Sequence, residues 1–199
     1  MTQKGAETAI TKSIALGELV DINVGKNISR INDHSAELKK IYSNENFLDD
    51  FGRLKNTETQ TIYSSAKQMN RFTIATGDLI YNLVSSNAVI SSERYAGLII
   101  NQNFAMLTRK TDLLDLAYLW FVLNESQTVK HQRHVLMQGS VVPKMPPTVL
   151  RQIKLNLPPL EKQRLVGQYY MNFNRYYRLK QQRLELSKKI NLQFLDQFS

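Results

Sequence analysis

The stretch "LNLPPLEKQRLVGQYY" (155–170) constrains this chain more than any other. A short apolar alternation stops at Pro158-Pro159, and from there to Ser199 the chain has one glycine, Gly167, and no further proline. Neither proline carries an amide hydrogen to extend a strand's ladder, and the fixed φ of Pro159 suits a helix entrance. The pattern predicts a single helix from Leu160 to Phe198, about 58 Å long at a rise of about 1.5 Å per residue. Val166, Tyr170, Phe173, Tyr177 and Leu184 follow a spacing of three to four, and Phe194 and Phe198 resume it. Tyr169, Tyr176, Leu179, Leu186 and Ile190 form an adjacent stripe. Two stripes on so long a helix exceed what a small domain can cover, so a second helix is expected against Val166, Tyr170, Phe173, Tyr177, Leu184 and Phe194. Lys180, Ser187 and Asn191 interrupt the first stripe, which argues for a helix pair with mixed edges rather than a perfect zipper.

Ahead of that helix the signals alternate. "ITKSIALGELVDINVGKN" predicts a short helix over Lys12–Val20 that closes into a strand or turn at Gly25. Residues 30–60 are polar and irregular, with a helical turn expected at Ala36–Tyr42. "TIYSSAKQMNRFTI" predicts a strand, a polar loop and a strand; "GDLIYNLV" (77–84) predicts a strand behind a Gly-Asp turn. Further strands are expected around Val89 and over Leu98–Leu107. "LLDLAYLWFVLNES" places Leu113, Leu116, Leu119/Trp120 and Leu123 at helical spacing and predicts a buried helix. A basic polar segment, a loop "GSVVPKMPP" and a last strand "RQIKLNL" complete the body. The fold class expected is α+β: a small twisted sheet followed by one long coiled-coil-type helix.

With 199 residues, 42% hydrophobic and 22% charged, the chain is globular in composition and long enough for one domain plus an extension. The absence of cysteine excludes a disulfide framework and a thiolate zinc site. The first residues lack the apolar run of a signal peptide, and "LLDLAYLWFVL" is far too short to span a bilayer. A soluble cytoplasmic protein without membrane association is the expectation. The net charge of +9 is uneven: residues 1–125 carry 13 Lys+Arg against 14 Asp+Glu, and residues 126–199 carry 13 against 3. A cationic excess confined to one part of a chain points to a polyanion, nucleic acid first, although a solvated basic helix has the same composition.

Enzyme signals are poor. His131 and His134 in "HQRH" have the spacing to share a metal, but no acidic residue lies between Ser126 and Glu161, so a basic surface patch is expected and no metal site. There is no phosphate-binding glycine loop and no G-x-G-x-x-G. Asp49-Asp50 reads as a solvated pair. Binding signals are better. "YSSAKQMNR" (63–71) offers Lys67, Gln68, Asn70 and Arg71 with no acid between Glu58 and Asp78. Gln and Asn can bond adenine, Arg can bond guanine, and Ser or Lys can hold phosphate oxygens. "VSSNAVISSER" (84–94) adds Ser85, Ser86, Asn87 and Arg94, and "MQGSVVPKMP" (137–146) adds Gln138, Ser140 and Lys144.

The order of these pieces resembles the DNA-specificity (S) subunits of type I restriction–modification systems. The matching stretches are "LGELVDINVGKN", "GDLIYNLVSSNAVIS", "LIINQNFAMLT", "LAYLWFVLNE" and "QGSVVPKMPPTVLRQIKLNLPPLEKQRL", with the helix that follows. The last is the most specific, a Gly-Ser loop leading into a Leu-Pro-x-Leu-x-x-Gln corner. The resemblance implies a target recognition domain over 1–157 and a spacer and dimerisation helix over 158–199. It implies a non-catalytic subunit that brings methyltransferase (modification) and restriction subunits to double-stranded DNA. S-adenosylmethionine, ATP and magnesium would belong to those partners, and this chain would hold no cofactor. A full family member resembles two copies of this unit, so a half-subunit that homodimerises over a bipartite target, or a piece of a longer chain, is expected. The competing expectation is an adaptor or decoy that docks on methyltransferase subunits through its helix without reading DNA.

Overall fold

Both faces of one antiparallel sheet are covered, and its central strand shows why. β5 (Leu79–Asn82) is buried at all four positions. Leu79 and Tyr81 join one apolar cluster while Ile80 joins another, the alternation of a strand packed on both sides. The computed structural model describes residues 13–27, 38–52, 61–63, 70–139 and 144–198. In it β5 lies between β8 (Phe104–Arg109) and β6 (Asn87–Ile90), and β2 (Val20–Val24) flanks β8, all antiparallel.

One face carries the larger cluster. It packs under α1 (Leu16–Leu19), α3 (Leu116–Glu125), α4 (Gln127–Leu136) and α5 (Pro147–Gln152). The other face meets a second sheet, in which β3 (Leu38–Tyr42) pairs antiparallel with β4 (Thr61–Tyr63) and parallel with β7 (Ile99–Ile100). α2 (Asn44–Asp50) closes this side, and the rings of Tyr42 and Phe47 stand 5.4 and 5.7 Å from that of Phe104. A short strand β1 (Ser13–Ala15) pairs with β9 (Lys154–Asn156), Ile14 opposite Leu155.

β6 is an edge strand, and α3 supplies what a further strand would. Asn124 accepts the amide hydrogen of Ala88 (2.8 Å) and donates to its carbonyl (2.9 Å), a carbonyl that also receives the Trp120 indole N–H (2.9 Å). The open edge is thereby closed by side chains rather than left as a template for pairing.

The long helix α6 (Leu160–Asp196) begins on the proline corner as expected. Its first turns dock on α3 through Gln163, Gly167 and Tyr170, three buried residues on one face. A Cβ at Gly167 would stand 2.7 Å from the Tyr118 nitrogen and 2.8 Å from Asp115 Oδ1, so only glycine admits this approach. Further along, Arg178 lies against Gly52 at the end of α2. From Arg183 to Phe198 every residue is exposed, including Leu184, Leu186, Ile190, Leu192, Phe194 and Leu195.

Several expectations are corrected. Over Lys12–Val20 the described residues form strand β1 and the single turn α1 instead of one helix. Ala36–Tyr42 is no helical turn where described: 38–42 is β3, and the helix comes after it, where Ser43 caps α2 by accepting from Asn46. Leu98–Leu107 is two strands, broken by a turn at 101–103. The basic segment after Ser126 is helical, and "RQIKLNL" starts inside α5 before becoming β9. Asp49-Asp50 is not solvated. Asp49 is buried, accepts from the Tyr95 hydroxyl (2.7 Å) and pairs with Arg94 (3.2 Å). Asp50 accepts from the Tyr42 hydroxyl (2.7 Å) and the Ser92 amide (3.2 Å). Tyr170 faces its own domain and not a second helix: its ring lies 4.7 Å from Trp120 and 5.4 Å from Phe121. Its hydroxyl donates to Glu125 (2.9 Å), and burial pushes it up to about 12.

Candidate nucleic-acid interface

The strand registers bring separate loops to one end of the main sheet. Asn82 pairs with both Asn87 and Phe104, so the β5–β6 turn (83–86) and the turn at 101–103 leave the sheet side by side. Hydrogen bonds tie them together: Leu83 N–H donates to the Asn103 carbonyl (2.8 Å), and Met145 N–H donates to the Leu83 carbonyl (2.8 Å). Met145 carries Lys144 with it, and the Lys144 ammonium donates to the Gln102 carbonyl and to Asn103 Oδ1 (3.4 Å). Partial burial lowers the Lys144 ammonium below its ordinary value. From α4, the Arg133 guanidinium donates to the Ser86 carbonyl and reaches the Tyr81 hydroxyl (3.4 Å).

The same end continues through Asn101, which bridges to Lys26. Gly25 makes this passage possible, since a Cβ there would stand 2.3 Å from the Ile100 carbonyl oxygen. Lys26 and Arg71 both lie over the ring of Phe72, 5.9 and 4.8 Å from its centroid. Lys26, Arg71, Arg133 and Lys144 thus share one rim with Ser85, Ser86, Asn87, Gln102 and Asn103. Among the described residues the ion pairs involve Arg94, Arg109, Lys110 and Lys130, and none of these four rim cations. A cationic rim with hydroxyl and carboxamide groups has the donors and acceptors that phosphates and base edges take.

The expected loop residues divide. Arg71, Ser85, Ser86, Asn87 and Lys144 fall on the rim. Asn70 opens the 3-10 turn Asn70–Phe72 beside it, and Gln138 is exposed just past α4. Arg94 sits beyond the opposite end of β6, held by Asp49 and lying over Tyr95 (5.6 Å). Lys67, Gln68 and Ser140 lie outside the described residues. Lys26 and Arg133 belong to the rim but were not singled out by sequence; the signal for Lys26 is the glycine before it. Of the residues expected against a second helix, Phe173, Tyr177, Leu184 and Phe194 are exposed, Val166 is half-buried and Tyr170 is buried.

A two-sided sheet that gathers polar loops at one end and sends out a long, half-covered helix defines an α+β module with a projecting arm. The chain belongs to the type I restriction modification DNA specificity domain family, whose model matches residues 11–188. Among solved structures it is similar to the HsdS subunit from Thermoanaerobacter tengcongensis, with a TM-score of 0.59 and 17% identity over 96% of this chain and 50% of that one. It is similar to a chain solved in work on the complex assembly and conformational transition of the type I R-M system, with a TM-score of 0.59 and 20% identity over 98% of this chain and 46% of that one. The S subunit of the type I restriction-modification system from M. genitalium gives a TM-score of 0.57 and 13% identity, over 95% and 46%. The chain spans about half the length of these solved chains. No curated protein matches it in sequence.

Proposed function

We propose that this chain is the sequence-reading component of a type I restriction–modification complex, directing methyltransferase and endonuclease subunits to DNA and performing no catalysis itself. What supports this is the rim of Lys26, Arg71, Arg133 and Lys144 around polar turns, in a chain of the DNA specificity family. S-adenosylmethionine, ATP and magnesium would be held by the partner subunits. A cytoplasmic location is part of the same reading; among the described residues no helix is long and apolar enough to cross a membrane.

We further propose that the exposed apolar face of α6 pairs with a second such helix, in a second copy or a second unit. Two identical modules related by a two-fold axis read inverted half-sites at a fixed separation. With 37 residues, α6 measures about 56 Å, more than one turn of DNA. Selection from a random duplex pool in the presence of the partner methyltransferase tests the reading. Enrichment of two fixed half-sites with a constant gap is expected. Binding to the methyltransferase with no enriched sequence would leave only an adaptor.

A further inference from the structure

The turn between β5 and β6 presents an apolar side chain where the rest of the rim is polar. Val84 is 52% exposed, and among the described residues ahead of α6 only Leu113 and Val135 are other large apolar side chains so exposed. Neither of those stands on the rim turns.

This turn is held from several sides. Ser86 N–H donates to the Asn82 carbonyl (2.8 Å), while Asn82 Oδ1 accepts the amide hydrogens of Val84 (2.9 Å) and Ser85 (3.1 Å). Asn82 is buried and is itself fixed by donation to Asn44 Oδ1 (3.2 Å). Ser86 has φ +56°, and among the described residues it is the only non-glycine with positive φ. That conformation is unfavourable for serine and persists only when its surroundings enforce it. The Arg133 guanidinium on the Ser86 carbonyl is such a restraint. Leu83, fully buried, anchors the base of the turn.

With the amides of Val84 and Ser85 taken internally, the tip offers a branched aliphatic group and a hydroxyl instead of backbone donors. A valine loses little rotamer freedom on contact because its χ1 is already restricted. In the major groove the apolar feature of a base edge is the 5-methyl group of thymine. We infer that Val84 is a specificity-determining residue that contacts a thymine methyl, with Asn82 and Arg133 as the positioning residues that hold it there. The inference rests on the DNA-reading function proposed above.

The test is selection by the chain, with its partner methyltransferase, from random duplex pools synthesised with thymine or with deoxyuridine, which lacks only that methyl. An enriched sequence containing a critical thymine is expected from the thymine pool. Deoxyuridine at that position lowers affinity about fourfold, the worth of one buried methyl-sized contact. Val84→Ala shows the same loss on the thymine duplex and no further loss on the deoxyuridine duplex. If a sequence enriches but thymine and deoxyuridine bind equally at every position, or Val84→Ala keeps the full preference for thymine, Val84 does not read a methyl and DNA reading stands. If no sequence enriches from either pool, the DNA-reading function fails and this inference with it.

Discussion

The carboxamide of Gln163 accepts the amide hydrogen of Asp115 at 3.0 Å, joining the first turn of the long helix to the cap of α3. Its Nε2 donates to the carbonyls of Leu113 (2.9 Å) and Pro158 (2.8 Å), so one buried side chain satisfies three backbone groups. The glutamine of the Leu-Pro-x-Leu-x-x-Gln corner therefore locks helix, proline turn and domain together. Gln163→Ala leaves those groups buried without partners and is expected to cost about 1–3 kcal/mol. Gln163→Glu restores the acceptor for Asp115 but not the donor, and should recover little. Urea unfolding of both variants checks this, and a neutral alanine variant would remove the locking role.

Gly167→Ala is expected to destabilise even though alanine is the better helix former. The added Cβ meets the backbone of Tyr118 and Ala117, which cannot swing aside as a flexible side chain would. Overpacking of this kind costs about 1–3 kcal/mol, more than the helix-propensity gain of about 1 kcal/mol. A lowered thermal midpoint is the predicted result.

The exposed apolar run beyond Arg183 predicts self-association. Ile190→Arg combined with Phe194→Glu should shift a dimeric mass to a monomeric one in light scattering while leaving the domain's thermal unfolding unchanged. A wild-type chain that is monomeric at every concentration tested would count against pairing between identical copies.

Each rim cation on a phosphate releases counterions, so Lys26→Ala and Arg71→Ala should each reduce the slope of log affinity against log salt by about 0.9. Filter binding across a salt series measures this. Lys67→Ala is expected to behave alike, and unchanged slopes for Lys67→Ala and Arg71→Ala would take that loop off the DNA.

Burial raises the Asp50 carboxyl above its ordinary value of 3.8, outweighing the hydrogen bonds it accepts. A folded state that holds this proton more tightly than the unfolded chain gains stability as pH falls toward that ordinary value. The ionised group thus subtracts stability at neutral pH, and the penalty is relieved between the raised value and 3.8. Asp50→Asn should flatten unfolding free energy against pH in that window, as urea titrations at several pH values would show.

Local punctuation made much of this fold legible. Pro158-Pro159 marked the start of α6, and the apolar spacing from Leu113 to Leu123 marked α3, although Leu113 itself lies ahead of that helix and is exposed. Failures came where a local pattern served two structures: Ile153, Leu155 and Leu157 alternate like a strand, yet the stretch 151–157 straddles the end of α5 and β9. Asp49 and Asp50 looked solvated because the tyrosines that satisfy them lie on other elements, Tyr95 being 46 residues from Asp49. Tyr170 fits the stripe of the free helix, and only the position of Trp120 and Phe121 assigns it inward. The rim was half visible for the same reason. Its loops advertise themselves by polarity, but Arg133 reaches Ser86 from a helix 47 residues away.

The pairing of β1 with β9 stitches the beginning of the domain to the strand that leads into the arm. Two segments more than 130 residues apart in sequence are thereby held in one register, so the root of the arm is tied to the frame of the domain and does not hang from a free linker.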